Sequence, residues 1–299
     1  MNRLFVLCCW ILLFIACSDF FSTTLEVEPP THQTQLVLHA VLTDTDTIWN
    51  ALIGRSIGLL ETTDADGFYL NDAQVMLYQN EQEVLTLNPQ TPDPANLVEY
   101  NFSAPVLPEQ MDHRASYTFR VSHPDFPSLV ARQSFPQQVP LSQSLIRENS
   151  GLNDFGERTN QVELRFTDPA GVANYYEVSL FAFDTTTGAI FLTELSTLDP
   201  NLRPGRGEGY LLSDERFDGN AYRLLMDYVP EWGEDVDVEL YAIWRTVTSD
   251  YFRYALSVKA QEDAQDFGTF AEPVSIYSNV ENGLGIFAMR TERIVKIGE

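Results

Sequence analysis

The side chains in this sequence best suited to chemistry are carboxylates. Asp214, Glu215 and Asp218 share one short stretch with Arg216, Phe217 and Gly219, and two acids held about 5 to 9 Å apart across a sugar are what a glycoside hydrolase uses. The same stretch also reads as a turn, because Asp and Gly accept turn dihedrals and Asp bonds its own backbone. With 43 acidic residues in the chain, carboxylate pairs arise without any catalytic purpose. A second acidic loop holds Asp64, Asp66 and Gly67, with Asp72 nearby and Asp44 and Asp46 on an earlier loop. Oxygen-rich loops of this kind suit calcium. Phe68, Tyr69 and Leu70 stand where a helix-flanked calcium loop needs more ligands, so Asp64 and Asp66 are weak candidates beside plain turn chemistry. No metal and no cofactor is expected.

Other chemistries lack their parts. The four histidines, His32, His39, His113 and His123, are scattered and show no ligand spacing,. There is no Gly-x-Ser-x-Gly elbow and no His-Glu-x-x-His helix. Gly205, Gly207 and Gly209 have no strand-to-helix unit around them and no following lysine, so they read as a loop and not a phosphate cradle,. Asn279, before Gly283 and Gly285, is a further ligand candidate in a segment whose glycines most simply permit a tight loop,. No catalytic residue is assigned.

The three cysteines point to an address. Cys8 and Cys9 lie within an apolar run from Leu4 to Ile15, preceded by Arg3 and followed by Ala16, Cys17, Ser18 and Asp19. A transmembrane helix needs about 20 apolar residues to cross roughly 30 Å of hydrocarbon, so this run reads as a secretory leader over residues 1–16. Phe14, Ile15, Ala16 and Cys17 resemble a bacterial lipobox, with Phe14 where leucine is usual. Cys17 is therefore the expected lipidation site. Each buried methylene of an acyl chain such as palmitate contributes about 0.8 kcal/mol, and several chains hold a protein permanently. Residues 17–34 then form a polar tether,.

The elements that must position these residues are strands. From Gln35 onward apolar residues alternate with period two or run briefly between turn signals,. Ala73, Val75 and Leu77 alternate with Gln74 and Met76, as do Tyr117, Phe119 and Val121 with Thr118 and Arg120. The pattern predicts a mainly β protein of two β-sandwich domains, immunoglobulin- or transthyretin-like, over residues 35–137 and 138–299. The boundary rests on Pro136, Pro140 and an apolar-poor stretch from Arg147 to Asn160,. Carboxy-terminal strands are expected as a pair, Ile286 to Met289 and Arg293 to Ile297. One helix is expected near 249–264, capped by Ser249, packing Tyr251, Tyr254, Ala255 and Val258 on the second sandwich,. With 44% hydrophobic residues the chain can supply this core without disulfides, and its net charge of −25 argues against nucleic acid as a partner,.

Several segments together resemble the Bacteroidota lipoprotein family catalogued as domain of unknown function 4249. They are Leu36 to Thr43; Asn71 to Met76; Thr167 to Ala170 before Asn174, Tyr175 and Tyr176; Asp214 to Gly219; the helix from Asp250; and Ser278 to Gly285 before Phe287. The resemblance implies a setting and no reaction. It points to an outer-membrane lipoprotein acting as an accessory ligand-binding or gating partner of a TonB-dependent transporter or other surface complex. The alternatives are a stand-alone glycan or peptide binding module and a surface glycan hydrolase. Asp19 without further acids leaves both the surface-exposed and the periplasm-facing orientation open.

Overall fold

The computed structural model describes residues 32–58, 61–62, 65–92, 99–152, 156, 158–205, 209–228, 230, 232, 236–266 and 274–298. The leader, Cys17 and most of the tether lie outside the described residues. The fold belongs to one compact unit, Thr34–Ser56 together with Thr63–Glu299.

The chain is mainly β with one long helix. The first half runs β1 (Leu36–Thr43), β2 (Ile48–Arg55), a short helix α1 (Ala65–Phe68), β3 (Gln74–Gln79), β4 (Gln82–Pro89), β5 (Phe102–Pro105), β6 (Tyr117–His123) and β7 (Phe126–Gln133). Next come β8 (Leu141–Leu152), β9 (Arg158–Thr167), β10 (Tyr175–Asp184), β11 (Ile190–Leu192), β12 (Leu195–Ser196) and β13 (Leu202–Pro204). The last elements are β14 (Tyr210–Ser213), β15 (Ala221–Tyr228), β16 (Val238–Val247), helix α2 (Ser249–Asp266) and β17 (Leu284–Lys296). A large sheet follows the order β13-β14-β10-β16-β17-β1-β2-β5-β4-β3-β6-β7, with β11 on β10. A four-stranded sheet follows β12-β15-β9-β8.

Period-two burial explains the layers. On β1, Leu36, Leu38, Ala40 and Leu42 point inward; on β3 Val75 and Leu77 do, and on β6 Tyr117, Phe119 and Val121,. These side chains form one core because the sheet folds back on itself. β7 bridges to Glu281 through Val130, and Phe119 meets Phe287 edge-on at 4.9 Å. A second core fills the space between the two sheets, where Val162, Leu164, Phe166, Leu224 and Met226 face Tyr176, Val178, Ala242 and Trp244. The apolar side chains change from one core to the other between Phe135 and Val139, close to the expected boundary. The strands do not change over there. β17 gives Phe287 and Met289 to the first core, and Ile297, the residue just past its end, joins the second.

Three local expectations are revised. The apolar-poor stretch expected from Arg147 to Asn160 holds the end of one strand, β8 (Leu141–Leu152), and the start of the next: β8 is the edge of the four-stranded sheet, so Gln143 and Glu148 can face water. The expected carboxy-terminal pair is one strand, the Arg290 and Glu292 side chains in its polar middle being held by partners on β1, β10 and β16. The helix is capped one residue earlier than expected, by Thr248, whose hydroxyl accepts the Tyr251 amide at 3.4 Å. Its inward residues are Tyr251, Phe252 and Ala255, packed on Leu211, Val247, Ile286 and Ala288.

On the four-stranded sheet, buried Glu163 receives three guanidinium groups: Arg147 and Arg165 at 2.5 Å and Arg223 at 2.9 Å. Burial pushes its carboxyl up, but hydrogen bonds from Arg223 and Arg165 and the surrounding positive charge hold it below the ordinary range. A carboxyl held low in the fold contributes stability above its unfolded pKa and loses it as pH falls through the folded value. Glu163→Gln should therefore lower unfolding free energy at pH 7 by about 1 to 3 kcal/mol, the arginines being half-exposed, and should flatten the acid limb of stability against pH. Urea titrations from pH 7 to pH 3 check both.

Candidate functional site

Two loops of equal length carry the chain between the sheets side by side. Residues 168–174 lead from β9 to β10, and residues 214–220 lead from β14 back to β15. Their closeness follows from strand pairing: Thr167 lies opposite Ala221, and Tyr175 opposite Ser213. The loops then meet backbone to backbone, Asp168 N–H to Asn220 C=O at 3.0 Å and Asp214 N–H to Asn174 C=O at 3.2 Å.

Carboxylates lace the remaining amides. Asp214 Oδ2 accepts from Asn174 N–H at 2.6 Å, Asp218 Oδ1 from Gly171 N–H at 2.8 Å, and Asp168 Oδ2 from Gly219 N–H at 3.0 Å. The Tyr176 hydroxyl donates to Asp168 Oδ1, and Asn174 Nδ2 donates to Val172 C=O at 2.8 Å. Gly219 has a left-handed φ of 72°, and a Cβ there would come within 2.7 Å of the Ala170 Cβ. Phe217 anchors the second loop, stacked on Tyr222 at 4.0 Å.

This brings Asp168, Asp214 and Asp218 together, with one oxygen of each within 4.8 Å of the others. Asp168 and Asp214 are buried and Asp218 is exposed. Burial pushes the Asp214 carboxyl up, the charges of Asp168 and Asp218 add to this, and the Asn174 hydrogen bond opposes it. Burial and the bond to Asp168 push the Tyr176 phenol well up, so it remains a donor. Three clustered oxygens suit a hard cation such as calcium. The first loop also borders a cleft of about 250 Å³, lined by Val172, Asn174, Gln133 and Ser249 at the start of α2.

Of the residues singled out from sequence, Asp214 and Asp218 belong to this cluster. Glu215 points away, exposed, into a small polar hollow with Arg203 and Arg216. Asn279 is elsewhere and structural: its amide donates to Phe287 C=O at 2.7 Å and accepts from Phe287 N–H at 3.0 Å, replacing a strand partner. It also donates to Asp250 at 3.0 Å. Asp66 lies in α1, and Asp64 lies outside the described residues. Asp44, Asp46 and Asp72 are spread over other contacts, with Arg293, Thr43 N–H and His123. The sequence reading missed Asp168 as the neighbour of Asp214, and Tyr176 as the donor to Asp168. The signal lies in the β9–β15 pairing, which spans too many intervening residues to be read from spacing.

A family model described as a domain of unknown function, DUF4249, matches residues 22–293 of the chain. No curated protein matches it.

The cluster generates a signed expectation. A carboxyl whose folded pKa is raised favours the fold while protonated, and that contribution is lost as pH rises through the folded value. Asp214→Asn keeps an oxygen for the Asn174 amide and removes a charge, so it should raise the melting temperature at pH 7 in chelator. A lower melting temperature for the variant in chelator, measured by scanning calorimetry, would contradict the repulsion described.

Proposed function

The chain belongs to the DUF4249 family, and from that premise we propose that it is a lipid-anchored outer-membrane protein of the Bacteroidota type. In this reading it serves a TonB-dependent transporter as an accessory ligand-binding or gating partner. Cys17 carries the anchor, since Phe14, Ile15, Ala16 and Cys17 follow an apolar leader and precede a polar tether,. Among the described residues no helix is long and apolar enough to cross a membrane.

The observation that carries the partner role is the outer edge of β10. That edge is shared: β14 takes Tyr175 to Val178, and the short β11 takes Phe181 to Phe183. Asp184 fixes the turn into β11, accepting the Thr186 and Thr187 amides at 2.7 and 3.1 Å. On one face of β11, Ile190 and Leu192 are 64% and 63% exposed, and Leu198 just beyond is 87% exposed. Single exposed aliphatic groups are ordinary, but two on one face of a terminal strand, with a third close in sequence, favour a protein partner. The acidic surface keeps such a protein soluble until a complementary surface covers the strand,.

Affinity purification from native membranes in mild detergent should bring a β-barrel transporter with the wild-type protein. Combining Ile190→Glu with Leu192→Glu should reduce the recovered partner about tenfold without moving the unfolding midpoint, because both side chains are already in water. Cys17→Ala should leave the protein unprocessed or outside the membrane fraction. Repeated recovery of the wild-type chain alone counts against the partner reading. Mature Cys17→Ala that still sediments with membranes counts against the anchor.

A further inference from the structure

The large sheet opens where β4 leaves β5. β4 stays with β3 from Val75↔Leu87 to Gln79↔Gln82, but it pairs with β5 only at Asn88↔Ser103 and Pro89↔Phe102. β5 meanwhile follows β2 as far as Ile48↔Pro105. Beyond Asn88 the two strands diverge, and a cleft of about 490 Å³ fills the gap. That volume falls within the range of small-molecule sites.

The lining is apolar and uncharged on a chain of net charge −25. Val84 and Leu107, each about half-exposed, form the lips, and Met111 and Trp49 lie deeper. None of the described lining residues carries a charge. Among the polar atoms, the Tyr117 hydroxyl is already committed to Asp112, accepting its N–H at 3.1 Å and donating to its C=O at 3.3 Å. The Trp49 indole is different. Its Nε1–H is buried and has no acceptor among the described residues, although the ring itself is held edge-on against Tyr117 at 6.0 Å. That N–H is closed off from the open space of the cleft, so a bound molecule meets the indole ring and not its N–H.

An added peptide strand suits the gap poorly. Pro105 has no N–H, and the Val106 N–H is bonded to Thr47 C=O at 2.9 Å, so this end of β5 offers no run of free donors,. An anionic ligand would meet the field of the acidic chain. We propose that the cleft binds one uncharged, predominantly apolar small molecule. The cleft shares no residue with β11 and does not depend on the transporter reading.

Nile red, an uncharged and largely apolar dye, tests this directly on the purified chain. Saturable binding of one dye per chain is expected, with blue-shifted emission. Leu107→Glu and Val84→Glu should each weaken it about tenfold while leaving the unfolding midpoint in place, since both positions already contact water. Ile190→Glu with Leu192→Glu should bind Nile red like the wild type, which separates this site from the docking edge. Absence of saturable binding, or binding indifferent to Leu107→Glu and Val84→Glu, overturns the site.

Discussion

The structure depends on β17, which pairs antiparallel with β16 along one edge and parallel with β1 along the other. Parallel pairing cannot be closed by a local turn, and here nearly the whole chain separates the two strands. The approach is close. A Cβ on Gly285 would lie 1.9 Å from the Leu38 carbonyl oxygen, and Gly285 has a φ of 115° that side chains rarely adopt. A Cβ on Gly283 would lie 2.7 Å from the Leu36 oxygen. The glycines that looked like loop formers are the residues that let β17 seat against β1. Once seated, Phe287 and Met289 serve the first core while Ile286 and Ala288 serve the core under α2.

A charged ladder on the α2 side holds that seating in register. Glu177, Arg245 and Glu292 stand opposite one another on β10, β16 and β17. Arg245 reaches Glu177 at 2.9 Å and Glu292 at 2.7 Å, and Arg290 reaches Glu177 at 3.4 Å and the Thr43 hydroxyl at 2.9 Å. Asp44 completes the link, accepting the Glu292 amide at 2.8 Å. Tyr251 donates to Glu177 at 2.6 Å from α2. Burial works against the charge on Arg245, but Glu177 and Glu292 hold its pKa up. Isolated buried ion pairs are weak sources of stability; a ladder satisfied at every member contributes register instead. The helix therefore reports on the same strands that join the two halves of the chain.

Period-two burial made the strands legible: Ala73, Val75 and Leu77 are inward as the alternation requires, and so are Leu240, Ala242 and Trp244. Strands whose burial comes from position were not legible. β8 is polar because it is an edge, and the middle of β17 is polar because it carries the ladder. Asp214 and Asp218 were found because acids in a loop attract notice. Asp168 was not, because only the β9–β15 pairing brings it there. Asn279 misled for the opposite reason, since a buried amide serving a strand edge is indistinguishable in sequence from one serving a ligand. The β4–β5 gap left no mark in composition, being a property of register.

β17 makes one cooperative structure of strands that the sequence divides in two. Native-state hydrogen exchange with peptide-resolved mass spectrometry, taken through increasing urea, tests it most directly. If the claim holds, the amides of β2 and β6 and those of β9 and β15 exchange through one common global opening, with the same free energy and the same urea dependence. Exchange of either group at clearly lower free energy, while the other stays protected, would contradict it.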